Sequence, residues 1–214
     1  MISLISEKIC GRYAVKERNM GEYAQIRKNG MRFDIRAFET PIGNFSTVSM
    51  SAMFGLMKME TVVFTPLTVD APLFSFDRIL AMGNDTLLLE LYDTQLEPTD
   101  VSKLDAVKAT AEDLPDHDLG KHWYDPMKLS PSLAKRGKKL DAAYRKLVAD
   151  YADAYLALLE TAPKCDPDAK RARTAEYVDG LFANGGPSTD QFKKLIGEEK
   201  AKDLFSRFVF SSKA

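Results

Sequence analysis

The hydrophobic pattern along the 214-residue chain changes its period twice. Near the start, Ile5, Ile9, Tyr13 and Val15 fall at helical spacing and predict one or two short amphipathic helices reaching about Ile26, ended by Gly30. From Phe33 the pattern becomes strand-like. Runs over 33–38, 45–52 and 57–64 predict successive antiparallel strands, parted by Pro41-Ile42-Gly43-Asn44 and by a turn at Phe54-Gly55. A fourth strand over 86–92 follows the turn signal Gly83-Asn84-Asp85, and its leucines make it apolar enough to be central. Residues 66–77 connect the third and fourth strands, with room for a further strand over 76–82.

Beyond Pro98 the helical period takes over. Asp100 is placed to cap a helix through Glu112, and 114–131 reads as a long polar loop containing Pro115, Pro126 and Pro131. The longest helix is predicted from Ser132 or Lys138 to Leu159, because Leu140, Tyr144, Leu147, Tyr151, Ala154 and Leu158 build one stripe. Asp166-Pro167 caps the next helix, to about Phe182. Asn184-Gly185-Gly186-Pro187 breaks it, Ser188 caps a short helix to about Ile196, and a last helix or extended tail covers 198–210. Strands gathered before helices argue for a sheet covered by helices, an α+β fold, and not for alternating βαβ units.

Composition narrows the function classes. With 45% hydrophobic residues the chain can bury a full core, and 1–214 reads as one domain. The net charge of −1 hides a division: residues 1–33 carry seven lysines and arginines against three acids, and 34–98 carry three against nine. No overall basic excess argues for a nucleic-acid partner. Cys10 and Cys165 are too few and too far apart for a disulfide framework or a zinc site, which fits a reducing cytoplasm. No window reaches the ~18–20 apolar residues of a membrane span, so a soluble, intracellular protein is expected. Neither GxGxxG nor GxxxxGK occurs, and without GxSxG or a cysteine beside a histidine nucleophilic hydrolysis has no anchor. His117 and His122 are five residues apart in a loop, a spacing that does not converge two metal ligands.

Three acids stand out. Glu60 and Asp77 lie inside sequence that otherwise reads as buried strand and apolar turn, where a carboxyl group either finds a partner or keeps its proton. Glu60 shares a strand face with Lys58, Val62 and Phe64, and it either lines a cavity or pairs on a solvated face. Asp77 follows Phe74 and Phe76, where an acid can also cap a turn. Asp34 has Arg36 on its own face, and a plain ion pair is the default reading.

The segments DIRAFETP (34–41), ETVVFTP (60–66) and above all VDAPLFSFDRI (69–79) resemble the ferredoxin-dependent bilin reductases. Trp123, Ser130 and Arg136 match that family's Trp…Ser…Arg segment, and the C-terminal run from Phe192 through Gly197 to Phe210 matches its ending. The related chlorophyll-catabolite reductases share the fold. The resemblance covers roughly 30–210 and is most specific over 72–77. It implies a three-layer α/β/α sandwich with a central antiparallel sheet, and an open-chain tetrapyrrole such as biliverdin bound between the sheet and the C-terminal helices. It also implies no tightly bound cofactor, reduced ferredoxin as the electron donor, side chains as proton source, and a monomer. Asp77 matches the proton-donating aspartate, Asp34 a strand-opening glutamate, and Glu60 stands where many members have a histidine. Gly186 occupies a position that is often aspartate, with Asp190 one turn on as a substitute. Lys58, Phe64, Phe76, Trp123, Arg136 and Asp190 complete the implied substrate-binding set. The cluster 135–139 is expected to neutralise propionates or to dock an acidic ferredoxin. The competing reading is a non-catalytic tetrapyrrole-binding protein of the same fold.

Overall fold

A computed structural model describes residues 1–213. Its centre is an eight-stranded antiparallel sheet built from β1 (Lys16–Glu17), β2 (Gln25–Lys28), β3 (Met31–Thr40), β4 (Gly43–Ala52), β5 (Met57–Pro66), β6 (Leu73–Ala81), β7 (Asn84–Tyr92) and β8 (Leu133–Gly137). The order is β1-β3-β4-β5-β6-β7-β8, with β2 also on the edge strand β3. From β3 to β7 each strand pairs with the next, so short turns suffice and the sheet is a meander.

Because alternate side chains point to opposite faces, the register sorts the apolar residues into two cores. One face carries Phe38, Phe45, Val62, Phe64, Phe74, Phe76 and the odd-numbered leucines of β7; α1 (Ile2–Arg12), α2 (Ser102–Ala109) and α3 (Asp141–Thr161) cover it. The other carries Phe33, Ile35, Val48, Met50 and Val63 under α4 (Pro167–Asn184), α5 (Pro187–Ile196), α6 (Glu198–Leu204) and a π-helical turn at Phe205–Val209. This is the three-layer sandwich that the resemblance implied. Both faces of the central strands are buried, which is why β5 to β7 read as nearly continuous apolar runs.

Several boundaries differ from the sequence expectation. The residues expected to extend the first helix form β1, a 3-10 turn and β2, and Gly30 closes the β2–β3 hairpin at φ +72° instead of ending a helix. The strand expected over 76–82 begins earlier, at Leu73. Residues 133–137 pair with β7, so the long helix starts only at Asp141. Asp166 caps α4 as expected, accepting from the backbone of Asp168 and Ala169, whereas Gly186 and not Ser188 is the N-cap of α5. On α3, the hydroxyl of Tyr155 donates to Pro72 O at 2.8 Å in the closed core, so the tyrosines of that stripe serve packing rather than a ligand.

One ion pair ties the third layer to the sheet. Lys170 on α4 is fully buried, and its ammonium donates to Asp70 (3.2 Å), Ala71 O (2.7 Å) and Thr94 O (2.6 Å). Asp70 also accepts from the backbone N–H groups of Leu96 and Glu97. Every donor of the ammonium is used, which offsets the cost of burying the charge.

Candidate functional site

Between the sheet and α4, α5 and the C-terminal turn lies a cavity of about 280 Å³, near the lower end for small-molecule sites. Its floor is formed by the odd positions of β5 and β6 and the even positions of β7. Met57, Met59 and Ile79 make the outer part apolar; Tyr124, Tyr177 and Phe205 wall the inner part. Among its lining residues, Pro187 and Ser188 at the start of α5 are exposed, and Met57, Met59, Thr61, Ile79, Leu88 and Gln191 are half-buried.

Asp77 points into this cavity. It is not fully inaccessible, yet the surface that it keeps opens into the cavity, where apolar walls replace bulk water. Desolvation is the largest influence and pushes its carboxyl pKa up to about 6. The hydroxyl of Thr61, directly opposite on β5, donates to Oδ1 and pulls the value down, as does the longer contact from Ser75 at 3.5 Å; the charge of Glu90 pushes it up.

Glu90 is the second carboxyl group of the cavity, and sequence reasoning missed it. It sits on β7, is buried, accepts from the Tyr92 hydroxyl at 2.7 Å, and pairs with the Lys128 ammonium at 2.8 Å. The Tyr92 and Tyr177 rings stack above it with centroids 4.5 Å apart. A signal was present, since Glu90 interrupts the run Leu87-Leu88-Leu89 as Asp77 interrupts its own, but β7 reads as a central strand and hides the exception.

The structure separates the residues that the resemblance grouped. Glu60 and Asp77 occupy opposite faces, because Thr61 is the partner of Asp77 in the register and Glu60 is one residue out of phase. Glu60 instead accepts from the N-terminal ammonium of Met1 at 2.5 Å on the α1 side. Lys58, Phe64 and Phe76 share that far face: Lys58 is exposed, and the two phenylalanines are in the closed core, Phe64 edge-on to Tyr155. Asp34 also faces away from the cavity. Arg32 and Gln25 bind it and hold its carboxyl below the usual range, while Arg36, its expected partner, forks onto Glu17.

The remaining positions do not line the cavity. Trp123 fits against Gly180 of α4, where an added Cβ would lie 2.2 Å from its ring, and its indole N–H donates to Gly185 O at 2.7 Å. It packs edge-to-face on Tyr124, which does line the cavity. Asp190 faces Lys193 at 3.4 Å; Gly186, Pro187, Ser188, Thr189 and Gln191 line the cavity at that helix start. Arg136 is exposed on β8 opposite Thr86, at the sheet edge on the cavity side. Lys135 is buried, its ammonium on Leu114 O and Asp116, so the cluster 135–139 does not present it for docking. His122 stacks on Tyr124, and among the described residues no group of three or more metal-ligating side chains converges. No helix of the described residues is long and apolar enough to cross a membrane.

No family model and no curated protein matches the chain. Among solved structures it is similar to phytochromobilin synthase from tomato, crystallised in complex with biliverdin, with a TM-score of 0.79 at 15% sequence identity. The match covers 99% of this chain and 82% of that one. At this identity the likeness establishes a shared fold.

Proposed function

We propose that this chain is a remote ferredoxin-dependent bilin reductase, an oxidoreductase that binds an open-chain tetrapyrrole in the cavity and reduces one of its double bonds. The observation that carries the reading is Asp77, a carboxyl group with a pKa near 6 that faces a largely apolar cavity. Such an acid keeps a usable protonated fraction near neutral pH, where an exposed aspartate has lost almost all of it. Two further supports are the shared fold with a biliverdin-bound bilin reductase and the matched 72–77 element.

Reduction of one double bond takes two electrons and two protons. In the proposed reaction reduced ferredoxin supplies the electrons one at a time and is oxidised each time. Asp77 gives one proton to the ligand and is left as a carboxylate; solvent reprotonates it, and the same carboxyl gives the second proton after the second electron, then takes up another before the next turnover. The aromatic wall of Tyr124, Tyr177 and Phe205 holds the flat ligand against the sheet and keeps water from the site. Arg136, exposed on β8 on the cavity side of the sheet, suits a ligand propionate. Glu60 and Asp34, on the far face, have no part in the reaction.

The test is anaerobic mixing with biliverdin, followed by reduced ferredoxin, with the visible spectrum recorded at each step. A bound-pigment spectrum that changes on reduction is expected. No change at either step would overturn the proposal. A binding spectrum without turnover would favour a tetrapyrrole carrier.

A further inference from the structure

The cavity contains an acid to which the reaction above gives no task. Glu90 is opposite Ser75, and Asp77 is opposite Leu88. The two acids are therefore diagonal neighbours on adjacent strands, about 7–8 Å apart. Their surroundings differ. Asp77 has two neutral donors, the hydroxyls of Thr61 and Ser75. Glu90 has a cation, Lys128, whose ammonium is bonded to Asp125 at 3.1 Å on its outer side and lies 5.2 Å from the centre of the Tyr124 ring. The other titratable groups facing Asp77 are phenols: Tyr92 on β7, Tyr124 in the loop before β8 and Tyr177 on α4, each pushed further toward its neutral form by burial. The cavity residues of α5 and of the C-terminal turn carry no titratable side chain. Among the described residues, Glu90 with its Lys128 partner is thus the charge on this wall.

We infer that Glu90 is a positioning residue, the paired carboxylate whose charge raises the pH at which Asp77 gives up its proton, with Lys128 setting how strongly it does so. A fixed negative charge in a water-poor site makes a second one costly, so Asp77 holds its proton to a higher pH than it would beside a neutral Glu90 site. A ligand bearing basic nitrogen changes the balance. The proton passes from the Asp77 carboxyl to that nitrogen, and the resulting N–H cation is stabilised by both carboxylates. No electron moves in this step. The ligand class is a flat molecule with ring nitrogens that accept a proton, which deepens the tetrapyrrole reading and rests on it.

The test begins without ligand. The carboxyl stretch of Asp77, assigned by its loss in Asp77→Asn, is followed by infrared difference spectroscopy against pH in the wild type, in Glu90→Gln and in Lys128→Met. Glu90→Gln is expected to lower the midpoint by about one pH unit, from one charge at this distance in a protein interior. Lys128→Met is expected to raise it. A midpoint that stays put or rises in Glu90→Gln overturns the inference. If Glu90→Gln does not fold, Lys128→Met carries the test alone, and an unmoved or lowered midpoint overturns it. Titration of the same proteins with biliverdin separates the two proposals: absent binding with shifted midpoints counts against the bilin reading, and intact binding with unmoved midpoints counts against Glu90.

Discussion

The hydroxyl of Thr61 donates to the carboxyl of Asp77 across the β5–β6 pair. In many bilin reductases a histidine belongs to this strand, and the sequence resemblance assigned its place to Glu60. The register gives the position facing Asp77 to a neutral donor instead. Removing that donor by Thr61→Val should raise the Asp77 midpoint above its value near 6, by about half to one pH unit for one hydrogen bond. Infrared titration of the carboxyl stretch checks this; a lowered midpoint would contradict the assigned bond.

Asp77 is a liability to the fold above its own pKa. Its folded value of about 6 exceeds the ordinary 3.8, so the folded state binds the proton more tightly than the unfolded chain. The resulting stability is complete below about pH 4 and is lost as pH rises through 6. Asp77→Asn should therefore stabilise the protein at pH 8 by up to about 3 kcal/mol, with little effect at pH 4. Urea unfolding at the two pH values measures the difference.

Lys170→Met should be among the most damaging single changes. It strands the carbonyls of Ala71 and Thr94 and removes the cation from the buried Asp70. A loss of about 3 kcal/mol is expected, at the lower end for a broken buried pair because Asp70 keeps its backbone N–H partners. Denaturant midpoints for the variant and the wild type settle the size.

Gly180→Ala reports on the wall of the cavity. The added methyl would collide with the Trp123 ring, at 2.2 Å, and must displace the chain's one tryptophan and the Tyr124 that packs on it. A red-shifted tryptophan emission and weakened biliverdin binding are expected together. Unchanged emission would mean that α4 yields instead.

Glu60→Gln is the control for the far face. It replaces half of an ion pair with the Met1 ammonium by a neutral hydrogen bond, and the side chain is 35% exposed, so about 1 kcal/mol or less is at stake. The Asp77 titration should be untouched.

Much of this architecture was legible in the order of residues. Period-two runs followed by period-3.6 runs dictated a sheet covered by helices, and the carboxyl of Asp77 stood out because an unpaired acid in an apolar strand needs a reason. The Asp166-Pro167 start of α4 was equally local, since a cap is set by residues a few positions apart. Short or edge elements were not legible: Lys16–Glu17, Gln25–Lys28 and Leu133–Gly137 become strands only because β3 and β7 offer them edges.

Alternation tells which residues of one strand share a face, but not which face of the neighbouring strand they join. That is settled by register, and one residue of offset sent Glu60 and Phe64 to the far layer while it brought Thr61 and Glu90 to Asp77; Phe76, next to Asp77 on β6, was already on the opposite face by alternation. Local pattern sufficed for a sheet covered by helices and for the exceptional acid. The partners of that acid come from other strands and from the loop that carries Lys128, and only the pairing of those segments in three dimensions decided which they are.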